Sequence, residues 1–288
     1  MSGIAEGDGR TVHPQHLEPS ELGTKEYWES FYDNSLSHYL SSKRDGRKRR
    51  EQDKSLDEED EDEDEDEEDD DSDPGTSWFT EHNAPQKVLD FMTSDRFPLA
   101  PEQMESDRQP TILDLGTGNG SMLTLLREEG EYTGPMVGVD YSPKSVELAR
   151  QLTERIPEAQ DIQFEVWDIL DPKHEEDIRR GAFGEDIGWF PSKDGGFDIV
   201  LDKGTFDAVS LSGERICEKY PGIALELVKK GGFLIITSCN WTESELVAWF
   251  TGDKDGFTVY DRVEYPKFRF GGQEGQGVCT ICFQRRDI

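Results

Sequence analysis

The stretch TILDLGTGNG at residues 111–120 decides the fold of this chain. Its apolar first half is typical of a buried strand, and the three glycines Gly116, Gly118 and Gly120 indicate a tight turn into a helix. Glycines at such a turn let the backbone approach a ligand closely. A dinucleotide-binding turn has the pattern G-x-G-x-x-G, but the sixth position here is Ser121. The turn is therefore less suited to a pyrophosphate, and a ligand without phosphate is favoured.

Outward from this turn, apolar strand patterns alternate with helical patterns, which predicts a parallel sheet with right-handed crossovers. The last two predicted strands, 257–265 and 277–284, have no helix between them and indicate an antiparallel hairpin at one edge. We predict an α/β fold: a Rossmann-like, seven-stranded, mostly parallel sheet with an antiparallel C-terminal hairpin and helices on both faces. The other predicted elements are strands at 111–116, 136–140, 162–167, 197–202 and 232–239, helices from about 84 and at 119–129, 143–156, 213–230 and 243–250, and a loop at 171–196.

Composition divides the 288 residues into four segments. Residues 1–23 are polar and aperiodic, and we expect them to be disordered. Residues 24–40 carry four aromatic side chains at helical spacing, so we expect a helix that packs on the domain. Residues 41–75 join a basic run to a run of acids, and we expect a disordered, low-complexity insertion because like charges oppose folding. Residues 76–288 carry the alternating pattern and form the predicted domain.

Composition also limits which partners the protein can bind and which compartment suits it. A formal net charge of −33 is unsuited to a phosphate backbone, since nucleic-acid binding needs clustered Lys and Arg, and a basic protein suits this surface better. Four cysteines are too few for a disulfide scaffold, which favours a reducing compartment. Cys279 and Cys282 stand three apart in a strand pattern and should face opposite sides of the sheet. No signal-peptide or membrane-span pattern is present and no histidine stands in a metal pattern, so we expect a soluble, intracellular protein without a metal.

Aspartates lie at or near the carboxyl ends of four predicted strands: Asp114, Asp140, Asp168 and Asp202. The carboxyl ends of parallel strands meet at one edge of the sheet, where open α/β sheets bind ligands. Asp140, followed by Tyr141, can accept hydrogen bonds from both hydroxyls of a ribose, in NAD as well as in S-adenosylmethionine. We expect Asp114 to organise the glycine turn or to meet the ammonium of a ligand.

The end of the third strand favours S-adenosylmethionine over NAD. In methyltransferases an acidic residue at the position of Asp168 commonly accepts from the adenine amino group, and Ile169 would pack on the ring. Asp202 ends the fourth strand, beside the donor methyl, so we expect it to face the acceptor. The aromatic residues Trp78 and Trp241 are candidates for the walls of the pocket.

Four motifs carry a family resemblance: DLGTGNG at 114–120, GVDYSP at 138–143, DKGTFDA at 202–208 and TSCNWT at 237–242. Together they resemble the eukaryotic translation elongation factor 1-alpha lysine methyltransferases. The first two are general to class I methyltransferases, whereas the last two are far narrower.

The resemblance implies a seven-stranded fold, S-adenosylmethionine as the donor, a lysine of elongation factor 1-alpha as the acceptor, and a cytoplasmic location. The basic run at 43–50 is a candidate nuclear-import signal. We expect a monomer that binds its donor at Trp78, Asp114, Gly116, Gly118, Gly120, Asp140, Tyr141, Asp168 and Ile169, and its substrate at the catalytic residue Asp202 with Phe206, Asn240 and Trp241. Two alternatives stay open: a methyltransferase for another protein or a small molecule, and a non-catalytic binding module of the same fold.

Overall fold

The computed structural model describes residues 14–53, 79, 82–104, 108–213, 215–252, 256–266, 268–270, 273–275 and 277–287; for 45–53, 268–270 and 273–275 it describes the backbone alone. In this part of the chain the strands are β1 (Ile112–Leu115), β2 (Met136–Asp140), β3 (Gln163–Val166), β4 (Phe197–Lys203), β5 (Val228–Ser238), β6 (Phe257–Val263), β7 (Phe268–Phe270), β8 (Gln273–Gly275) and β9 (Cys279–Arg285). The helices are α1 (Lys25–Asp53), α2 (Ala84–Met92), α3 (Ser121–Glu128), α4 (Pro143–Thr153), α5 (Pro172–Arg180), α6 (Thr205–Ser210), α7 (Tyr220–Leu227) and α8 (Glu243–Phe250).

One sheet of seven strands has the order β3-β2-β1-β4-β5-β9-β6. The strands from β3 to β5 pair in parallel, whereas β9 lies antiparallel between β5 and β6. The predicted fold is therefore confirmed, including the antiparallel C-terminal pair. Chain order reverses between β1 and β4, which are hydrogen-bonded neighbours. Open α/β sheets bind ligands at such a switch point.

Helices cover both faces of the sheet because side chains alternate along each central strand. Ile112 of β1 points into the core beneath α2, α3 and α4, whereas Leu113 points into the core beneath α6, α7 and α8. Cys279 and Cys282 of β9 lie in opposite cores, so their predicted placement on two faces is confirmed. Every residue of β1 and β2 is buried, as expected for central parallel strands.

Two helices occur where other structure was predicted. The loop predicted at 171–196 contains α5. Asp171 caps the start of this helix by accepting from the Lys173 N–H at 2.9 Å, and Gly181, with φ of 66°, follows its last residue. Its mostly charged sequence gives little apolar periodicity, so the caps were its only signal. The helix predicted at 213–230 is shorter, since α7 covers Tyr220–Leu227, and α6 was not predicted.

The N-terminal boundaries also differ from the prediction. α1 does not end at residue 40 but continues to Asp53, because Lys, Arg, Glu and Gln propagate a helix well. The described residues before it are packed rather than disordered: the Ser20 N–H donates to the Leu211 carbonyl at 3.2 Å, and Gly23 lies so close to the Leu211 and Ser212 backbone that a Cβ would overlap it. The acidic run at 57–71 lies outside the described residues. No helix in the described ranges is both long and apolar enough to cross a bilayer.

An aromatic cluster anchors α6 to the core that lies beneath α6, α7 and α8. The Phe206 ring is fully buried and lies 5.0 Å from the Phe250 ring centroid and 6.0 Å from that of Trp241. Tyr220 and Trp249 complete the cluster. The turn between β4 and α6 is therefore held in place from below by packing.

We expect Phe206→Ala to lower the free energy of unfolding by about 3–5 kcal/mol, because it leaves a cavity in this cluster. The matched control is Val166→Ala on the edge strand, where the side chain is 51% exposed and the loss should be within about 0.5 kcal/mol. Urea unfolding followed by circular dichroism measures both. Equal, small losses in the two variants would show that Phe206 is not part of the core.

Candidate active site

A cavity of about 450 Å³ opens at the carboxyl ends of the parallel strands, over the switch point between β1 and β4. Its walls come from the turns that follow β1, β2, β3, β4 and β5, and from the N-terminal segment around residues 22–32. Ligand pockets typically measure about 300–1,000 Å³, so this cavity is large enough for a small-molecule ligand. Within the described residues no group of three or more His, Cys, Asp or Glu side chains is arranged to hold a metal ion.

The glycine turn forms the floor of the cavity. Gly116 and Gly118 line it with φ of 64° and 59°, a backbone conformation that side chains rarely adopt. A Cβ built on Gly118 would lie 2.8 Å from the Tyr32 hydroxyl. Gly120 instead caps α3, and a Cβ there would meet the Phe164 ring at 2.8 Å. Of the three predicted donor-binding glycines, two therefore reach the cavity.

Asp114 lies beneath the turn. It is 3% exposed, and its carboxylate accepts from the Thr117 hydroxyl at 2.8 Å. Burial raises the pKa of Asp114 to about 6, although the nearby Lys203 ammonium opposes this rise. Of its two predicted roles, organising the turn is the one that its contacts show.

Asp140 ends β2 and lines the cavity, as predicted. Its carboxylate accepts from the Ser142 N–H at 2.9 Å and from the Gly118 N–H at 3.2 Å, so it ties two turns together. Burial raises the pKa of Asp140 to about 6. Because a carboxylate offers about four acceptor positions, two backbone donors leave room for a ligand. Tyr141 also lines the cavity and donates from its hydroxyl to the Lys25 carbonyl at 3.2 Å.

Asp168 and Ile169 lie on the cavity wall that follows β3, also as predicted. One oxygen of Asp168 accepts from the Leu170 N–H at 3.0 Å, and the other is bonded to the Lys25 ammonium. Ile169 is 8% exposed and presents an apolar surface beside this carboxylate. An acceptor beside an apolar face suits the amino group and the ring of a purine.

Asp202 does not face the cavity, which corrects the expectation that it faces the acceptor. The residue is 1% exposed, and its carboxylate accepts from the Tyr220 hydroxyl at 2.6 Å and from the backbone N–H groups of Thr205 and Phe206. Burial raises the pKa of Asp202 to about 7. The side chain is directed inwards because it caps α6, whose first N–H groups have no other acceptor.

The other predicted substrate residues divide between the core and the cavity. Phe206 and Trp241 lie in the aromatic cluster under α6, so neither can contact a substrate; the Trp241 indole N–H donates to the Ser210 hydroxyl at 3.2 Å. Asn240 is exposed and lines the cavity, as predicted. Trp78 lies outside the described residues, whereas the neighbouring Phe79 lines the cavity.

Asp207, which is 4% exposed, belongs to the lining of the cavity and is not among the predicted site residues. It lies on the first turn of α6, and it accepts from the Ser238 hydroxyl at 2.5 Å and from the Cys239 N–H at 2.9 Å. Burial raises the pKa of Asp207 above its ordinary value. These bonds connect α6 to the end of β5, where Cys239 and Asn240 line the cavity opposite the glycine turn. Both aspartates belong to the motif DKGTFDA, in which the first, Asp202, is predicted to face the acceptor, whereas the second, Asp207, lines the cavity.

Comparison with known proteins agrees with this geometry. A family model described as a methyltransferase domain matches residues 106–265. The chain is 34% identical over 277 residues to a Saccharomyces cerevisiae protein named protein-lysine N-methyltransferase EFM4, with 94% of this chain and 97% of the relative covered. It is 30% identical over 270 residues to the human protein named EEF1A lysine methyltransferase 2, with 93% and 88% covered. The chain belongs to this methyltransferase family.

Solved structures match this chain with lower sequence identity than these relatives do. N-methyltransferase NodS from Bradyrhizobium japonicum WM9, in complex with S-adenosyl-l-homocysteine, has 13% identity and a TM-score of 0.45, with 69% of this chain and 86% of that chain covered. TrmN from Thermus thermophilus has 19% identity and a TM-score of 0.40, with 62% and 44% covered. Both scores are below 0.5, so the assignment rests on the family match and the relatives.

The first turns of α1 form one wall of the methyltransferase cavity. Lys25, Trp28 and Tyr32 line it, and the Ser142 hydroxyl donates to the Glu29 carboxylate at 2.5 Å. This helix was predicted only to pack on the domain. Its aromatic spacing showed that one face is buried, but spacing within a helix does not reveal which part of the domain that face covers.

The raised pKa of Asp202 predicts how the free energy of unfolding changes with pH. A folded-state pKa raised from 3.8 to about 7 means that the folded protein holds this proton more tightly than the unfolded chain does. The resulting stabilisation is present below about pH 4 and is lost as the pH rises to about 7. Asp202→Asn cannot ionise, so its unfolding free energy should improve relative to wild type across that interval. Urea unfolding at several pH values measures this difference. A difference that stays constant with pH would contradict the buried position of Asp202.

Proposed function

We propose that this protein transfers a methyl group from S-adenosylmethionine to a lysine side chain of translation elongation factor 1-alpha. The observation that carries the proposal is the placement of Asp140, Asp168 and Ile169 around one cavity with the glycine turn. The names of the relatives, protein-lysine N-methyltransferase and EEF1A lysine methyltransferase, support the acceptor. We propose a monomeric, cytoplasmic enzyme, since elongation takes place in the cytoplasm.

The residues present fit this donor. Asp140 has acceptor positions for the two ribose hydroxyls, and Asp168 beside Ile169 suits the adenine amino group and ring. Gly116 and Gly118 line the cavity, and a Cβ at either position would overlap a neighbouring side chain, that of Thr205 or of Tyr32. The donor has no phosphate, which agrees with a turn that lacks the third glycine of a pyrophosphate site. When bound, S-adenosylmethionine supplies a methyl group already activated by its sulfonium.

The chain's own residues must then position a neutral amine. A lysine with an ordinary pKa of about 10.4 is protonated at pH 7, and its deprotonation there costs roughly 4–5 kcal/mol. Desolvation at the acceptor end of the cavity favours the neutral amine. We propose that Asp207 orients the incoming ammonium, because it is the carboxylate that lines this end together with Cys239 and Asn240. Placing the amine in line with the donor methyl supplies much of the rate enhancement.

The first experiment measures transfer of labelled methyl groups from S-adenosylmethionine to purified elongation factor 1-alpha by the wild-type protein and by Asp140→Ala. We expect the wild type to label one or more lysines. Asp140→Ala should bind S-adenosylhomocysteine at least tenfold more weakly, because each lost charge-assisted hydrogen bond to the ribose is worth about 1.5–3 kcal/mol.

Calorimetry gives the dissociation constants, after circular dichroism shows that the variant is folded. If a different protein is labelled in a cell extract, the acceptor is that protein and not elongation factor 1-alpha. Binding of S-adenosylhomocysteine without any labelling would favour a non-catalytic module. Equal affinity in the wild type and Asp140→Ala would remove Asp140 from the donor site.

A second prediction separates the two aspartates of DKGTFDA. Asp207→Asn keeps the size of the side chain but removes its charge, so turnover on the protein acceptor should fall at least tenfold, or about 1.4 kcal/mol, while donor affinity stays within about threefold. Asp202→Asn, the matched variant, still accepts from the Thr205 and Phe206 N–H groups and should lose less turnover than Asp207→Asn. A larger loss of turnover in Asp202→Asn than in Asp207→Asn would show that Asp202 serves the acceptor.

A further inference from the structure

The proposed donor has charged groups without an assigned partner, and the carboxylate of its methionine end is the one that is negative. The acidic residues that line the cavity are Glu26, Asp140, Asp168 and Asp207. An anion that leaves water for such a site needs a nearby cation or hydrogen-bond donors. Two cations line the cavity within the described residues, Lys25 and Lys203.

Of these two cations, only Lys203 has no bonded partner in the part of the chain that the structure describes. The Lys25 ammonium is bonded to Asp168 at the adenine end. The Lys203 ammonium lies 5.7 Å from the centroid of the Phe79 ring, and both residues line the cavity. Desolvation lowers the pKa of Lys203, while the charges of Asp114 and Asp202 behind it act in the opposite direction. An anionic partner would favour its charged form.

The order of the strands places Lys203 where the methionine end should lie. The sheet runs β3-β2-β1-β4, with Asp168 following β3 and Asp140 ending β2. Adenine and ribose on these two residues direct the rest of the donor over the turn after β1, towards β4. Lys203 is the last residue of β4, and the turn that follows it is joined to β1 because the Thr205 hydroxyl donates to the Leu115 carbonyl at 2.6 Å.

We propose that Lys203 binds the α-carboxylate of S-adenosylmethionine. This inference rests on the proposed donor. It makes Lys203 a donor-binding residue, in contrast to two other roles that its position allows: a base that takes the proton of the acceptor lysine, or a packing partner of Phe79. Only a carboxylate-binding role depends on whether the ligand carries a carboxylate.

The test compares two ligands that share an adenosine and a thioether. S-adenosylhomocysteine has the amino-acid end, and 5′-methylthioadenosine lacks it. Calorimetry on the full chain should show that Lys203→Gln binds S-adenosylhomocysteine at least tenfold more weakly, about 1.4 kcal/mol, while its affinity for 5′-methylthioadenosine stays within about twofold. Lys203→Arg, which keeps the charge, should recover part of the loss.

The matched control is Lys25→Gln, at the adenine end, which should change the affinities for both ligands by the same factor. A Lys203→Gln variant that loses both ligands equally, or neither, would overturn the carboxylate role. A loss of turnover with unchanged affinity would overturn it in favour of a base. If the wild type binds neither ligand, the proposed donor fails, and this inference fails with it; if the wild type binds both, the proposed donor stands whatever the Lys203 variants show.

Discussion

The site depends on the bond between a buried aspartate at a strand end and the backbone N–H groups of the following turn. Asp140 holds the Gly118 and Ser142 N–H groups, and Asp202 holds those of Thr205 and Phe206. An unpaired buried carboxylate would be costly, so each one fixes the turn that supplies its donors. The cavity walls are thereby held in place before any ligand enters, which spares the ligand the cost of ordering them.

The sequence allowed two things to be predicted, the sheet and the convergence of the glycine turn with the strand-end aspartates, because both depend on local patterns. In a parallel sheet, the glycine turn after one buried strand and the aspartate at the end of the next strand lie at the same edge. Their relative positions therefore follow from the sequence pattern. The structure bears this out at Gly116, Gly118, Asp140 and Asp168, which line one cavity. Gly120 conforms to the same pattern, but its place at the start of α3 separates it from the cavity.

The side of the cavity that α6 lines could not be predicted in the same way, since it depends on which side of this short helix faces the core. DKGTFDA contains two aspartates and a phenylalanine, and nothing in the string shows that α6 begins at Thr205. Once it does, Asp202 becomes its cap, Phe206 is directed into the aromatic cluster and Asp207 reaches the cavity. Long-range packing decides these positions, as it decides that Tyr32 lies over Gly118.

The contact between Asp207 and Cys239 has a chemical consequence for the thiol. Among the described residues Cys239 is the exposed cysteine, and it lines the cavity. The protein packed around the thiol, together with the charge of Asp207, raises the pKa of Cys239 to about 12. The thiol therefore stays protonated at pH 7, whereas the thiolate is the form that reacts with peroxide or alkylating agents. Burial, helped by the carboxylate at this end of the cavity, therefore also protects Cys239 from oxidation.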